Sequence, residues 1–195
     1  MIKISQMSGK LEGIQALNTD TTTNPFCLKM QKISGSICAQ CYSMRMLKTY
    51  RKNCVPVFKD NGERLSKHLS YDDIPRIGSQ YFRVSAHGEL SNITQLINVM
   101  KIVTHNPRTF FGIWTKRTDL VGQWLGTYKK PENCNLVYSN PFVDKVCRIP
   151  PGFDKVFNVV SDERETVNCR GKCIDCLLCY TKNNVRQITE VIKHG

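Results

Sequence analysis

From residue 80 to residue 163 the hydrophobic period alternates between that of a strand and that of a helix. The segment "QYFRVSAHGEL" (80–90) is rich in β-branched and aromatic residues and runs into a glycine turn, as a strand and its exit do. In 91–107 a Ser/Asn cap precedes Ile93, Leu96, Ile97, Met100 and Val103 at helical spacing, and Asn106-Pro107 stops the helix. "TFFGIWTKR" (109–117) reads as a second strand. Residues 118–130 read as a helix capped by Thr118 and ended by Pro131. "NLVYSNP" (135–141) and "DKVFNVVSDE" (154–163) are the third and fourth strands. This order predicts parallel neighbours joined by right-handed crossovers, hence an α/β fold: a parallel sheet or a partial, small TIM-like barrel. At 195 residues, 41% of them hydrophobic, the chain can fill one core. We read a single domain with an N-terminal cysteine-containing segment (1–60), a βαβ core (80–163) and a C-terminal cysteine cluster (164–195). The stretch 43–78 reads as helical around "MRMLKTYRKN" and "GERLSKHL".

In folds of this kind the loops after the strands open on one face, and chemistry gathers there. The strand ends carry Ser85, His87 and Glu89, then Thr115, Lys116 and Arg117, then Ser139 and Asn140, then Ser161, Asp162 and Glu163. Glu89 and Asp162 are the candidate general base or nucleophile, and His87 a proton relay. Lys116 and Arg117 suit an anion such as phosphate. The expectation is that Glu89, Lys116 and Asp162 converge on one pocket.

Eight of the ten cysteines fall into two groups. "NCRGKCIDCLLCY" (168–180) holds Cys169, Cys173, Cys176 and Cys179 with gaps of three, two and two residues. Near the start, Cys38-x2-Cys41 is flanked by Cys27 and Cys54 at ten and twelve residues. Both groups carry a Cys-x-x-Cys-Tyr. The opening residues lack the apolar run of a secretory signal, and no stretch approaches the roughly 20 apolar residues of a membrane span. A cytoplasmic chain is therefore expected, where thiols read as metal ligands rather than disulfides. Structural zinc usually draws its ligands from two separated knuckles, whereas tight runs are typical of cubane iron–sulfur ligation. An iron–sulfur cluster (4Fe–4S) is expected ahead of zinc, on Cys169, Cys173, Cys176 and Cys179, with Cys27, Cys38 and Cys41 holding their own metal or sharing that one. Cys134 and Cys147 are expected to be buried free thiols.

Lys and Arg number 28 against 16 acidic residues, a net charge of +12 that favours a polyanionic partner: nucleic acid, DNA ahead of RNA. Arg45, Lys48, Arg51 and Lys52, with Tyr50 among them, lie beside the first knuckle, and Arg117 joins them as a phosphate contact. No amphipathic membrane anchor is present.

The segments "NTDTTTNPFCLKM…SGSICAQCYSMRML", "FRVSAHGEL", "FFGIWTKR" and "NCRGKCIDCLLCY" resemble, in order, those of phage proteins around the mycobacteriophage gene product 88 family. Ala86-His87-Gly88-Glu89 stands where that family has Ser-Gly-Asp, so the acidic role falls to Glu89. The resemblance implies a phage-encoded protein of the host cytoplasm. Cys169-x3-Cys173-x2-Cys176 also has the bare spacing of the radical S-adenosylmethionine motif, with Asp175 where an aromatic residue is usual. More remotely, the chain resembles tRNA-guanine transglycosylases and phage relatives that place 7-deazaguanines in DNA. That likeness implies zinc on Cys173, Cys176, Cys179 and His194, with Asp162 or Glu89 as nucleophile. The leading expectation is a nucleic-acid-directed metalloprotein that modifies a nucleobase. Its rivals are a radical or redox iron–sulfur enzyme and a non-catalytic, metal-stabilised module that binds nucleic acid or a host protein.

Overall fold

In the computed structural model, which describes residues 1–192, one sheet takes its strands in sequence order. They are β1 (Ser5–Gln6), β2 (Gln15–Leu17), β3 (Tyr81–Val84), β4 (Phe110–Thr115), β5 (Cys134–Val143), β6 (Lys155–Val160) and β7 (Gln187–Val191). β1 and β2 are antiparallel, and every later neighbour is parallel. The alternating pattern of 80–163 accounts for β3 to β6. β5 runs through Pro141 to Val143, where the sequence reading ended it at Pro141. The register of β5 against β6 shifts between Ser139 and Val143, and a proline is tolerated at such an irregularity because no ladder donor is needed there.

The helices are α1 (Pro25–Gln31), α2 (Tyr42–Lys48), α3 (Val55–Leu65), α4 (Ile93–His105), α5 (Thr118–Leu125) and the single turn α6 (Cys173–Cys176). Side-chain caps fix two of the starts. Asn92 accepts from the Gln95 amide, and Asn24 accepts from Phe26 and Cys27 just before Pro25 in the first turn. α3, α4 and α5 are the crossovers into β3, β4 and β5. They bury Leu65, Leu96, Val99, Val103, Val121 and Trp124 against Phe82, Phe111, Ile113 and Leu136 of the sheet.

Among the described residues, the crossover on the other face carries no helix longer than the single turn α6. That face is covered by the C-terminal cysteine segment, where Tyr180 and Cys179 pack on Ile14, Trp114, Val137 and Ile188. β4 is therefore enclosed on both sides, which is why its apolar run is nearly unbroken. Salt bridges link the two margins of the sheet. Lys10, in the turn between β1 and β2, reaches Glu190 on β7 at 2.6 Å, and Lys172 reaches Glu12 at 2.7 Å.

Gly112 shows how closely that second layer sits. A Cβ at this position would lie 2.5 Å from the Trp114 ring and 3.0 Å from that of Tyr180. Overpacking of this kind costs about 1–3 kcal/mol. Gly112→Ala is expected to lower the urea midpoint accordingly without altering its m-value.

Candidate functional site at the carboxyl ends of the strands

The loop after β3 is held in an unusual backbone. Ser85 has φ 63° and Gly88 φ 79°. A side chain at Gly88 would collide with the Thr19 carbonyl at 2.5 Å, so only glycine allows the β2 and β3 exits to lie this close. Asn18 at the end of β2 accepts from the His87 amide, and Thr21 accepts from Gly88.

These bonds deliver Glu89 into the interior, 5% exposed. Its carboxylate accepts from the Leu90 amide (2.8 Å), the Thr115 hydroxyl (2.6 Å) and the Lys116 amide (2.8 Å). The Asn24 amide donates to the Glu89 carbonyl at 2.7 Å, which brings the start of α1 to the same point. Lys116 then extends its Nζ to the Ser139 hydroxyl on β5, at 3.0 Å. Glu89 and Lys116, just past β3 and β4, are thus linked to Ser139 at the register break within β5.

Asp162 does not join them. It is exposed and paired with Arg164 at 2.7 Å, while the neighbouring Ser161 amide is tied back to Asp144. The turn after β6 thus faces solvent, and Glu163 there pairs with Arg170. Asn140 is buried, donating to Asn158 at 2.9 Å. Arg117 is also committed internally. It donates to the Leu90 and Ser91 carbonyls, pairs with Asp119 and lies over the Phe26 ring.

His87 is 3% exposed, packed against the rings of Phe58 and Tyr42. Its Nδ1 meets the Ser43 hydroxyl at 2.8 Å, and that hydroxyl meets Thr21 at 2.6 Å. Burial, with Arg51 and Arg83 adding to it, lowers its pKa from 6.5 to about 4. It is therefore a neutral hydrogen-bonding group rather than a relay open to substrate. The sequence reading missed Asn18, Thr21 and Asn24. The only signal was the dense polar run "NTDTTTN" ahead of the first cysteine.

Lys116 and the thiols of Cys27, Cys38 and Cys41 lie within electrostatic range of one another. Burial raises the Cys27 thiol well above its ordinary range, with the charges of Glu89, Cys41 and Cys38 adding to it and Lys116 opposing. Burial chiefly raises Cys41 as well. Burial pulls Lys116 down, but the anionic charge of Cys38, Glu89, Cys27 and Cys41 outweighs it and the net shift is upward. The C-terminal thiols form their own neighbourhood. Cys179 is raised by burial, opposed by Arg83, and feels Cys169, Cys173 and Cys176. All ten cysteines are unpaired. Among the described residues no three Cys, His, Asp or Glu side chains stand in a geometry that would hold a metal ion. Cys134 is buried as expected, its thiol pushed up to about 12 by desolvation, whereas Cys147 is only half-buried. His194 lies outside the described residues.

α2 starts directly after Cys41. It turns Met44 and Leu47 inward and leaves Arg45 and Lys48 exposed; Tyr50 and Lys52 follow, both exposed. Arg51 is half-buried and donates to Ser8 at 2.7 Å. Compared with protein-family models, with curated proteins and with solved structures, the chain matches none.

Two outcomes follow from this geometry. Glu89→Gln leaves one acceptor oxygen for three donors, so it is expected to destabilise the fold by about 1–3 kcal/mol in chemical unfolding. His87 binds its proton more readily in the unfolded chain, so stability is lost as pH falls from 6.5 towards 4. The loss is about 3 kcal/mol for a shift of this size. Urea unfolding at pH 7.5 and 4.5 should show it, and His87→Gln should flatten the slope.

Proposed function

We propose that this protein is an iron–sulfur enzyme acting on nucleic acid, with its centre on Cys27, Cys38 and Cys41 at the mouth of a partial TIM-like barrel. The observation that carries the reading is the half-buried Lys116, whose amide donates to the buried Glu89 and whose ammonium donates to Ser139, within electrostatic range of the Cys27, Cys38 and Cys41 thiols. The donors fit in kind. They are thiols only, partly withdrawn from water, with Lys116 beside them to offset thiolate charge. Cys27, Cys38 and Cys41 would hold the cluster, which would supply one-electron chemistry.

The protein's own groups have defined tasks in this reading. Glu89 fixes the Lys116 backbone, and Ser139 fixes its ammonium, so the cation is preorganised rather than recruited. The Tyr42 hydroxyl donates to the Ala86 carbonyl at 2.5 Å and so ties the second half of the knuckle to the β3 exit. Arg45, Lys48 and Lys52 offer phosphate contacts next to the mouth, and Tyr50 offers a ring for a base to stack on. Base exchange through a carboxylate nucleophile draws less support, because Asp162 is exposed and ion-paired and Glu89 already accepts three hydrogen bonds. No helix among the described residues is long and apolar enough to cross a membrane. Phage origin and a place in the host cytoplasm rest on the sequence resemblance and belong to the same proposal.

The test is purification without oxygen, followed by iron and sulfide analysis and DNA binding across a salt series. A broad absorption near ~400 nm is expected, and Cys38→Ser should remove roughly four irons per chain. Changing Lys48 and Lys52 together to Gln should reduce the slope of log affinity against log salt by about 2. Colourless protein whose metal content ignores Cys38 would sink the cluster. Absence of DNA and RNA affinity at low salt would remove the nucleic acid.

A further inference from the structure

We propose that the groove at the amino ends of β4 and β5 binds an unpaired stretch of nucleic acid, with Phe110 as the stacking platform and Lys130 and Lys182 as phosphate contacts. The groove lies at the end of the sheet opposite the mouth, and the proposal does not rest on what the mouth binds. Parallel neighbours bring their starts to one side of a sheet as they bring their exits to the other. On that side Pro107, Phe110, Lys130, Pro131, Asn133 and Lys182 line a concavity of about 580 Å³. Clefts that take a small molecule run to roughly 300–1,000 Å³, so a nucleotide fits. Glu132 completes the lining and is exposed.

The walls are fixed by the protein's own bonds. The Asn133 side chain donates to the carbonyls of Val103, Asn106 and Thr109 at 3.1, 3.1 and 3.0 Å, which seats the approach to β5. Asp154 stands between the two lysines. Lys130 pairs with it directly, while Lys182 Nζ lies 3.6 Å from it and donates to the Cys134 carbonyl at 2.9 Å. The other Asp154 oxygen accepts from the Leu136 amide at 2.7 Å. One carboxylate therefore serves two ammonium groups and a backbone amide. Arg108 directly before β4, Lys129 before β5 and Arg186 directly before β7 are exposed and add positive charge to this end of the sheet. In the approaches 106–109, 126–133 and 181–186, Glu132 is the acid that opposes them.

These cations alone would suit any polyanion, and Phe110 selects among them. It is 40% exposed, although the rest of β4 is buried. Its ring is not loose. It stacks on Tyr81, its cross-strand partner on β3, with the ring centres 6.0 Å apart and the planes 28° from parallel. A phenyl ring held in place beside lysines is the combination with which proteins hold single strands: the cations follow the backbone and the ring takes a base. Stacking needs a base with a free face, which a paired strand does not offer. An acidic peptide would engage the lysines and leave the ring idle.

The experiment uses the full chain and fluorescent oligothymidine, single-stranded and paired with oligoadenine, across a salt series, with polyglutamate as competitor. Phe110→Leu keeps apolar volume against Tyr81 and removes the ring. It should weaken single-strand binding about tenfold and change duplex binding little. Lys182→Gln should lower the single-strand slope of log affinity against log salt by about 0.7. Changing Lys48 and Lys52 to Gln should leave the Phe110 effect in place. Should Phe110→Leu not fold, the native chain decides: oligothymidine carrying a photoreactive base must cross-link within 107–110 or 128–133, as mapped by mass spectrometry. Single-strand affinity that ignores both Phe110 and Lys182 overturns the proposal. So does polyglutamate that competes as well as oligothymidine, or cross-linking confined to Tyr50 and its neighbours, which would leave the mouth as the nucleic-acid surface. Cross-links in the groove, with binding that ignores Lys48 and Lys52, would support this site and take the nucleic acid away from the mouth.

Discussion

The Glu89 carboxylate accepts from three donors that belong to two different strand exits, and most of the carboxyl-end face is positioned through it. Thr115 and Lys116 are set by its oxygens, Cys27 by the helix whose capping Asn24 also donates to the Glu89 carbonyl. Arg117 completes the arrangement by reaching back to the Leu90 and Ser91 carbonyls. A carboxylate so fully used is poorly placed to act as a base, because its lone pairs are engaged before any substrate arrives. In the structure Glu89 is a clasp between the two exits, and it positions Thr115 and Lys116.

The two faces of the sheet divide the remaining work. Helices α3 to α5 cover one face with aliphatic and aromatic packing. The opposite face is covered by a short segment rich in thiols and poor in regular structure. Arg83 and Trp114 line it with a stacked cation and ring, against which Tyr180 packs. Polar and sulfur side chains are therefore interleaved with the apolar residues of this second layer.

What the sequence disclosed followed from burial. β3 to β6 and the helices between them repeat their apolar residues over enough positions for the period to be read. β1 and β2 have two and three residues, too few for any period, and β7 is five residues in the shadow of the cysteine run. The strand-end argument found Glu89, Lys116 and Ser139 because parallel neighbours present their exits side by side. It failed at Asp162, where Asp144 and Arg164 hold the turn out in solvent. The Thr21–Ser43–His87 chain was invisible for a different reason: its members lie 22 and 44 residues apart and no local pattern links them. Of the basic stretch, Arg45, Lys48 and Lys52 are exposed beside the knuckle and Arg51 is half-buried, while the Arg117 guanidinium serves the Leu90 and Ser91 carbonyls.

The contact between Lys10 and Glu190 joins residues 180 positions apart. It brings together the margins of a sheet whose other neighbours are all consecutive in the chain. During synthesis, β1 to β6 can assemble in the order in which they emerge, each strand docking on the last. Ile14, Trp114 and Val137 then stay open to water until the segment after β6 has left the ribosome and folded back across them. A folding intermediate that lacks this segment therefore exposes a second apolar face, and that is the species in which the chain is most adhesive.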